Sequence, residues 1–381
     1  TAAGHAIKHA YNAAFFLLLP EIKASLILSN SQVGLLSSIR LALGGLGNIP
    51  AGYVGDRYRK QRAGVLSTTL IMVGAFSCLL GMVTGYWMAV IAAALGNLAI
   101  TFWHPTAISS LARQFSSRRG FAISLHGTGG SVGEALGPLI AGALLAVFSW
   151  RVILQGSIIP ALIFGLLIWV LLKVVPTQSG GVPNFRIYVQ GLWGLFRNRR
   201  LLIVLLLTGA FAGGQGTVLT FFPVYLREDL GYSSFSTSVF LFLAQVAGIA
   251  VQPVMGYASD RFGRKAVMVP SLLILGTADA ALSVVPDGIP LILTVIVMGA
   301  FLFSLMSIFL AAASDLVGAN AQATIVSLVF GAAVAVAGIL PTIAGSLADI
   351  FGNLQVAFVC AGVVVLGAGL LGIVLKWQPS D

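Results

Sequence analysis

The stretch Gly52-Tyr53-Val54-Gly55-Asp56-Arg57-Tyr58-Arg59-Lys60 returns 204 residues later as Gly256-Tyr257-Ala258-Ser259-Asp260-Arg261-Phe262-Gly263-Arg264-Lys265. Each copy follows one apolar run and precedes another, so each marks a short polar turn between two long hydrophobic segments. Working outward from these turns, the apolar runs bounded by polar breaks are 4–26, 33–55, 64–83, 88–112, 119–146, 151–173, 201–226, 234–257, 267–285, 289–314, 322–348 and 354–376. A membrane-crossing helix needs about 20 apolar residues, and an isolated strand would leave backbone groups unpaired in lipid. The expected fold is therefore an all-α membrane protein with twelve transmembrane helices in two pseudo-symmetric six-helix bundles.

Composition agrees. Apolar residues make up 58% of the chain, charged residues 8%, and mean hydropathy is +1.00. A soluble domain carries roughly 25% charge. The net charge of +10 does not point to nucleic acid, because the basic residues sit in short clusters between apolar runs. With the N-terminus placed in the cytoplasm, sixteen Lys and Arg fall on the inner side and three, Lys23, Arg151 and Arg227, on the outer side. That asymmetry predicts a bacterial inner-membrane protein with both termini cytoplasmic. Cys78 and Cys360 lie in separate apolar runs, which gives neither a disulfide framework nor a metal spacing. No metal and no cofactor are expected, and a monomer is.

The polar connection 174–200 holds Pro176, Gly180, Gly181 and Pro183, then a short amphipathic piece from Phe185 to Phe196 suited to a membrane surface. It separates an N-terminal bundle, 1–173, from a C-terminal bundle, 201–381. The bundles repeat each other at an offset of 203: Pro20 with Pro223, Pro50 with Pro253, Gly96 with Gly299, Ser124 with Ser327, Pro138 with Pro341 and Gly142 with Gly345. Two related bundles can rock about a central site, the logic of alternating access. A channel or an intramembrane enzyme needs no such doubling, and no phosphate-binding loop for ATP is present.

The paired turns resemble the G-x-x-x-D-R-x-G-R-K loop of the major facilitator superfamily, complete in the second copy and with Arg59 in place of glycine in the first. The stretch Gly129-Gly130-Ser131-Val132-Gly133-Glu134-Ala135-Leu136-Gly137-Pro138-Leu139-Ile140-Ala141-Gly142 resembles a motif of the superfamily's proton-coupled exporters. In that stretch Gly133, Gly137 and Gly142 permit close helix approach, and Pro138 permits a bend. Trp103-His104-Pro105 and Arg118-Arg119-Gly120-Phe121-Ala122-Ile123-Ser124-Leu125, with His5, His9 and Tyr11, resemble the fosmidomycin-resistance branch. Two positions depart from that pattern: His9 stands where the branch has an acidic residue, and Ala92 where drug–proton antiporters have arginine.

The resemblance implies a secondary transporter and not an enzyme: proton-coupled export of a small organic molecule, with proton-driven uptake of a small organic anion as the alternative. Its partners would be that substrate, protons and the bilayer. A cytoplasmic gate is expected from Asp56, Arg57, Arg118, Arg119, Asp260, Arg261 and Arg264, with Asp260 opposite Arg118 and Arg119. Asp56 would face a loop with Asn320 and no basic residue.

Intramembrane polar residues supply the site candidates, since a charge at mid-membrane costs about 2.5–3.5 kcal/mol on insertion scales. His9, Tyr11, Asn12, Arg40, Asn97, His104, His126, Glu134, Gln215 and Gln245 are expected around a substrate and proton cavity. Glu134 is the first choice of proton carrier, with His104 and His126 as alternates. Lys8, Glu21 and Asp315 are placed near span ends, and Asp279 on a peripheral helix.

Overall fold

The computed structural model describes residues 1–115, 118–174, 197–316 and 322–374, leaving aside several side chains, among them Asp56, Arg59, Arg113 and Arg119. The amphipathic piece 185–196 and Asn320 lie outside the described residues. No strand occurs among the described residues, and the helices form twelve spans.

Seven spans are single continuous helices: Ala2–Leu26, Arg62–Met82, Arg119–Leu144, Arg199–Glu228, Ser234–Phe262, Arg264–Ala281 and Val356–Val374. The other five are each interrupted once. Four of the interruptions have one cause. Helices end at Leu46, Thr101, Gly156 and Ala337, in each case four residues before a proline: Pro50, Pro105, Pro160 and Pro341. Proline has no N–H to give the carbonyl four residues back, and its ring crowds that carbonyl. The fifth, between Leu302 and Leu305, has no such proline; there Ser304 Oγ bonds back to the Ala300 carbonyl. Pro20, Pro138, Pro223, Pro253 and Pro270 sit inside unbroken helices. The bend expected at Pro138 is therefore not a break.

The two polar turns differ for a reason visible in the sequence. Gly263, between the eighth and ninth spans, has φ +93°, a conformation that suits glycine. At the equivalent turn Arg59 replaces it, and the chain uses a 3-10 turn, Arg59–Gln61, with Tyr58 at φ −104°.

The chain forms two compact units. One comprises Thr1–Leu28, Ile39–Ile187 and Ser233–Val239; the other Ser29–Ser38, Tyr188–Tyr232 and Phe240–Asp381. In the first, span one packs chiefly on span five, and span three on span six; in the second, span seven packs on span eleven and span nine on span twelve. The packing thus repeats with the sequence. Seven spans are long and apolar enough to cross a membrane on their own. Those outside that set include the first, second, fifth and ninth, which carry Lys8, Arg40, Glu134 and Asp279.

Glycines set the contact of spans one and five. A Cβ on Gly129, Gly133 or Gly137 would stand 2.4, 1.9 or 2.5 Å from the carbonyl oxygens of Ala2, Ala6 and Ala10. Glycines four apart on one helix meet carbonyls four apart on the other, so the backbones touch along three turns. Gly142, five residues on and off this row, meets Ser238 of span eight instead.

Candidate functional site

Spans one, four and five bring all four histidines of the chain together. Trp103 helps to place them: it is fully buried in a cluster with Leu66, Leu70, Ala107 and Ile168, and Gly4 leaves room for its ring. That fixes His104 beside span one. The His5 and His126 rings stack at 4.0 Å between centroids and 7° between planes, and the His5 and His104 rings meet edge to face at 4.9 Å.

The hydrogen bonds fix the ring tautomers. His5 Nδ1 lies 2.7 Å from the His126 carbonyl oxygen, which only accepts, so His5 Nδ1 carries hydrogen. In neutral His5 the other nitrogen, Nε2, is then an acceptor, and His9 Nε2, 3.0 Å away, must donate. His9 Nδ1 faces Glu134 Oε1 at 2.6 Å. Two lone pairs would repel at that distance, so one proton lies between them, as imidazolium with carboxylate or imidazole with carboxylic acid. The contact is at ion-pair distance.

Lys8 corrects an expectation. It does not lie at a span end: its side chain is completely buried, and Nζ donates to His104 Nε2 at 2.7 Å. The polar face of span one, defined by His5, Lys8, His9 and Asn12, turns toward spans four and five, so the lysine finds a neutral imidazole there. Four-residue spacing had signalled His5 and His9; Lys8, three residues after His5 and on the same face, carried the same signal.

Arg40 is 3% exposed. Its Nη2 donates to Asn12 Oδ1 at 2.6 Å, and its own carbonyl accepts from Asn97 Nδ2 at 2.8 Å. The guanidinium lies over the Phe15 ring at 4.0 Å and the Phe16 ring at 5.0 Å. Nη1 has no partner. Tyr11 donates to the Ser157 carbonyl.

His5, His9 and His104 hold one ring nitrogen each within 4.8 Å of one another, a set that could take a metal ion. Those nitrogens are engaged: His5 Nε2 accepts from His9, and His104 Nε2 from Lys8. A cation entering there would have to displace the Lys8 amine, so the donor set suits a hydrogen-bonded chain better than a metal.

In the second unit Gln215 Nε2 donates to the Leu302 carbonyl at 2.7 Å, and Gln245 is buried. Asp279 is fully buried with neither carboxyl oxygen paired. Of the gate candidates, Arg264 bonds Asp260 and, at 2.8 Å, Asp315. Those hydrogen bonds raise the already high pKa of Arg264. Arg261 donates to Tyr257 at 3.1 Å, Arg57 lies 5.8 Å from the Tyr58 ring centroid, and Arg118 is exposed. The side chains of Asp56 and Arg119 lie outside the described residues.

Comparison with known proteins agrees with this architecture. The family model described as Major Facilitator Superfamily matches residues 2–257 and 241–381. The chain is 25% identical over 374 residues to the fosmidomycin resistance protein of Escherichia coli, covering 95% of this chain and 89% of that protein. It is 25% identical over 262 residues to the cis,cis-muconate transport protein of Acinetobacter baylyi; the match covers 65% of this chain and 62% of that protein's length. Among solved structures, a bacterial homolog of the human lysosomal transporter Spinster superposes with TM-score 0.80 at 15% identity, covering 100% of this chain and 97% of that one. The fold is shared and the matches span both halves: the chain belongs to the Major Facilitator Superfamily, a multi-pass membrane transporter of small molecules and not an enzyme.

Proposed function

We propose that this transporter moves a small organic anion together with a proton, and that the His9–Glu134 pair takes the proton. The observation that carries the reading is the charge inventory around that pair. Lys8 and Arg40 are buried cations whose side chains donate to His104 and Asn12, and Glu134 already shares a proton with His9. An anion entering beside ionised Glu134 is repelled, and a proton on the pair removes the repulsion. Proton and anion then favour each other's binding, and such a coupling is reciprocal. The similarity to a muconate transport protein supports an anionic substrate.

Export by antiport is the second reading, favoured by the likeness to the fosmidomycin resistance protein. There, proton and substrate would compete for the pair. In either case the cycle is alternating access by two halves, 1–173 and 201–381, joined by 174–200 in a bacterial inner membrane with cytoplasmic termini. Asp56, Arg57, Arg118, Arg119, Asp260, Arg261 and Arg264 serve the cytoplasmic gate.

The test uses proteoliposomes with cis,cis-muconate and benzoate. Symport predicts accumulation when the lumen is alkaline, antiport when it is acidic. Glu134→Gln should keep exchange of substrate for substrate and lose accumulation driven by the pH gradient. Retained accumulation in that variant refutes the assignment of the proton to the pair.

A further inference from the structure

Arg40 presents an unanswered donor in a buried place. Its side chain is 97% removed from solvent and Nη1 has no partner, although Nη2 and the backbone carbonyl are both engaged. An orphaned buried donor on a charged group is costly, and Arg40 also lines a cavity. A cavity of about 30 Å³ adjoins it, with Tyr11, Phe15, Phe76, Ser77, Gly96 and Asn97 in the wall. That space holds roughly one or two waters, or the head of a small acid.

The aromatic contacts define how an occupant would approach. Phe15 lies under the guanidinium plane, so the flat face is covered. The N–H groups lie in the guanidinium plane, and Nη1, buried and without a partner, shares one edge with Nη2, which is bonded to Asn12. A planar group with two acceptor oxygens matches such an edge with two parallel charge-assisted hydrogen bonds. The remaining wall is mostly apolar: Val73, Leu80, Ala92, Ala93 and Ile100.

We infer that Arg40 is the anchor for the carboxylate of the transported acid, whose narrow apolar end lies against Phe15 and Phe76. The assignment rests on the anionic-substrate reading above and adds the group recognised and the residues that recognise it. It separates two jobs within the first unit: Arg40 holds the carboxylate, and His9–Glu134 holds the proton.

The experiment measures binding of benzoate to the purified full chain in nanodiscs by calorimetry, with benzamide as the neutral isostere and chloride and sulfate as inorganic anions. Benzoate should bind at least about tenfold more tightly than benzamide or either inorganic anion, since one lost charge-assisted pair corresponds to a tenfold change or more. Arg40→Lys keeps a cation but loses the fork and should weaken benzoate by about tenfold or more. Gly96→Ala guards against misfolding of that variant. Its methyl would stand 3.5 Å from the nearest neighbour, Phe76 Cβ, at the cavity wall, so the fold tolerates it while the space narrows. It should weaken benzoate with no loss of Tm. Glu134→Gln, which lacks the charge that repels an anion, should bind benzoate no more weakly than the parent.

Absence of benzoate binding, equal binding of chloride or sulfate, or parental affinity in both Arg40→Lys and Gly96→Ala would overturn the assignment. Carboxylate binding that depends on Arg40, without transport driven by a pH gradient, would sink the symport reading and leave the anchor standing.

Discussion

Gly133→Ala puts a methyl where span five touches span one. The new carbon would lie 1.9 Å from the Ala6 carbonyl oxygen, 2.6 Å from its carbon and 2.8 Å from its Cα. These are backbone atoms of a helix, so no side chain can rotate away. Reaching even 3.0 Å, below which such contacts essentially never occur, requires the helices to part by roughly 1 Å, and overpacking of this kind costs about 1–3 kcal/mol. The next residue is Glu134, whose carboxyl stands 2.6 Å from His9; the same displacement carries that contact to the limit of a hydrogen bond. Gly127→Ala is the control on the same helix, since a Cβ there meets nothing within 4 Å. It should be neutral or gain up to about 1 kcal/mol from helix propensity. Reversible unfolding in mixed detergent micelles gives the stabilities, and gradient-driven uptake in proteoliposomes reads the proton pair. Gly133→Ala should lose on both measures. Stability and uptake equal to those of Gly127→Ala would refute the close contact and the register that depends on it.

Two further predictions concern carboxyls of the second unit. Asp349 accepts the N–H groups of Asn30 and Ser31 at 2.9 and 2.8 Å, at the start of the helix Asn30–Leu46. Burial pushes its pKa up, but bonds from Ser31, Asn30 and Ser29 outweigh this and hold it below the ordinary carboxylate value. Its stabilising contribution, about 0.5–1 kcal/mol for an exposed cap, is complete above about pH 4. It is lost as pH falls through the depressed value. The stability gap between the parent and Asp349→Ala should therefore be constant from pH 7 to 5 and close in stronger acid; a gap that widens there contradicts the cap. Asp279→Val replaces a buried carboxyl that has no partner, so it should raise stability by about 1–3 kcal/mol. A loss in the same unfolding assay would show that the carboxyl makes a bond in the membrane-embedded protein.

Much of the fold is legible because lipid leaves few choices: apolar runs of one length, turned by two copies of one loop, specify the spans. The helix interruptions were legible in part. Pro50, Pro105, Pro160 and Pro341 break their helices while Pro138 and Pro253 do not, so a proline in an apolar run does not by itself specify a break. Arg40, Glu134 and the histidines stood out as polar residues in apolar runs. Their pairing did not: the His9–Glu134 contact joins residues 125 positions apart, and its register comes from glycines against alanine carbonyls. Lys8 was misplaced because nearness to the start of the sequence is not nearness to a membrane surface. Its neighbours on the helix face were the better guide.

The mutual dependence of these spans bears on how the chain enters the membrane. The first span is synthesised with Lys8, His5 and His9 on one face, and a lysine within a span opposes insertion, by about 2.5–3.5 kcal/mol at the helix centre and less toward its ends. Its polar partner His104 and its glycine-lined neighbour Arg119–Leu144 emerge roughly a hundred residues later, on the order of ten seconds at ribosomal speed. During that interval Asn12 can meet Arg40 of span two, while Lys8, His5 and His9 still lack His104 and the fifth span. Span one thus depends for its settled place on a helix made well after it: the fifth span, on arriving, completes a helix pair that neither could form alone.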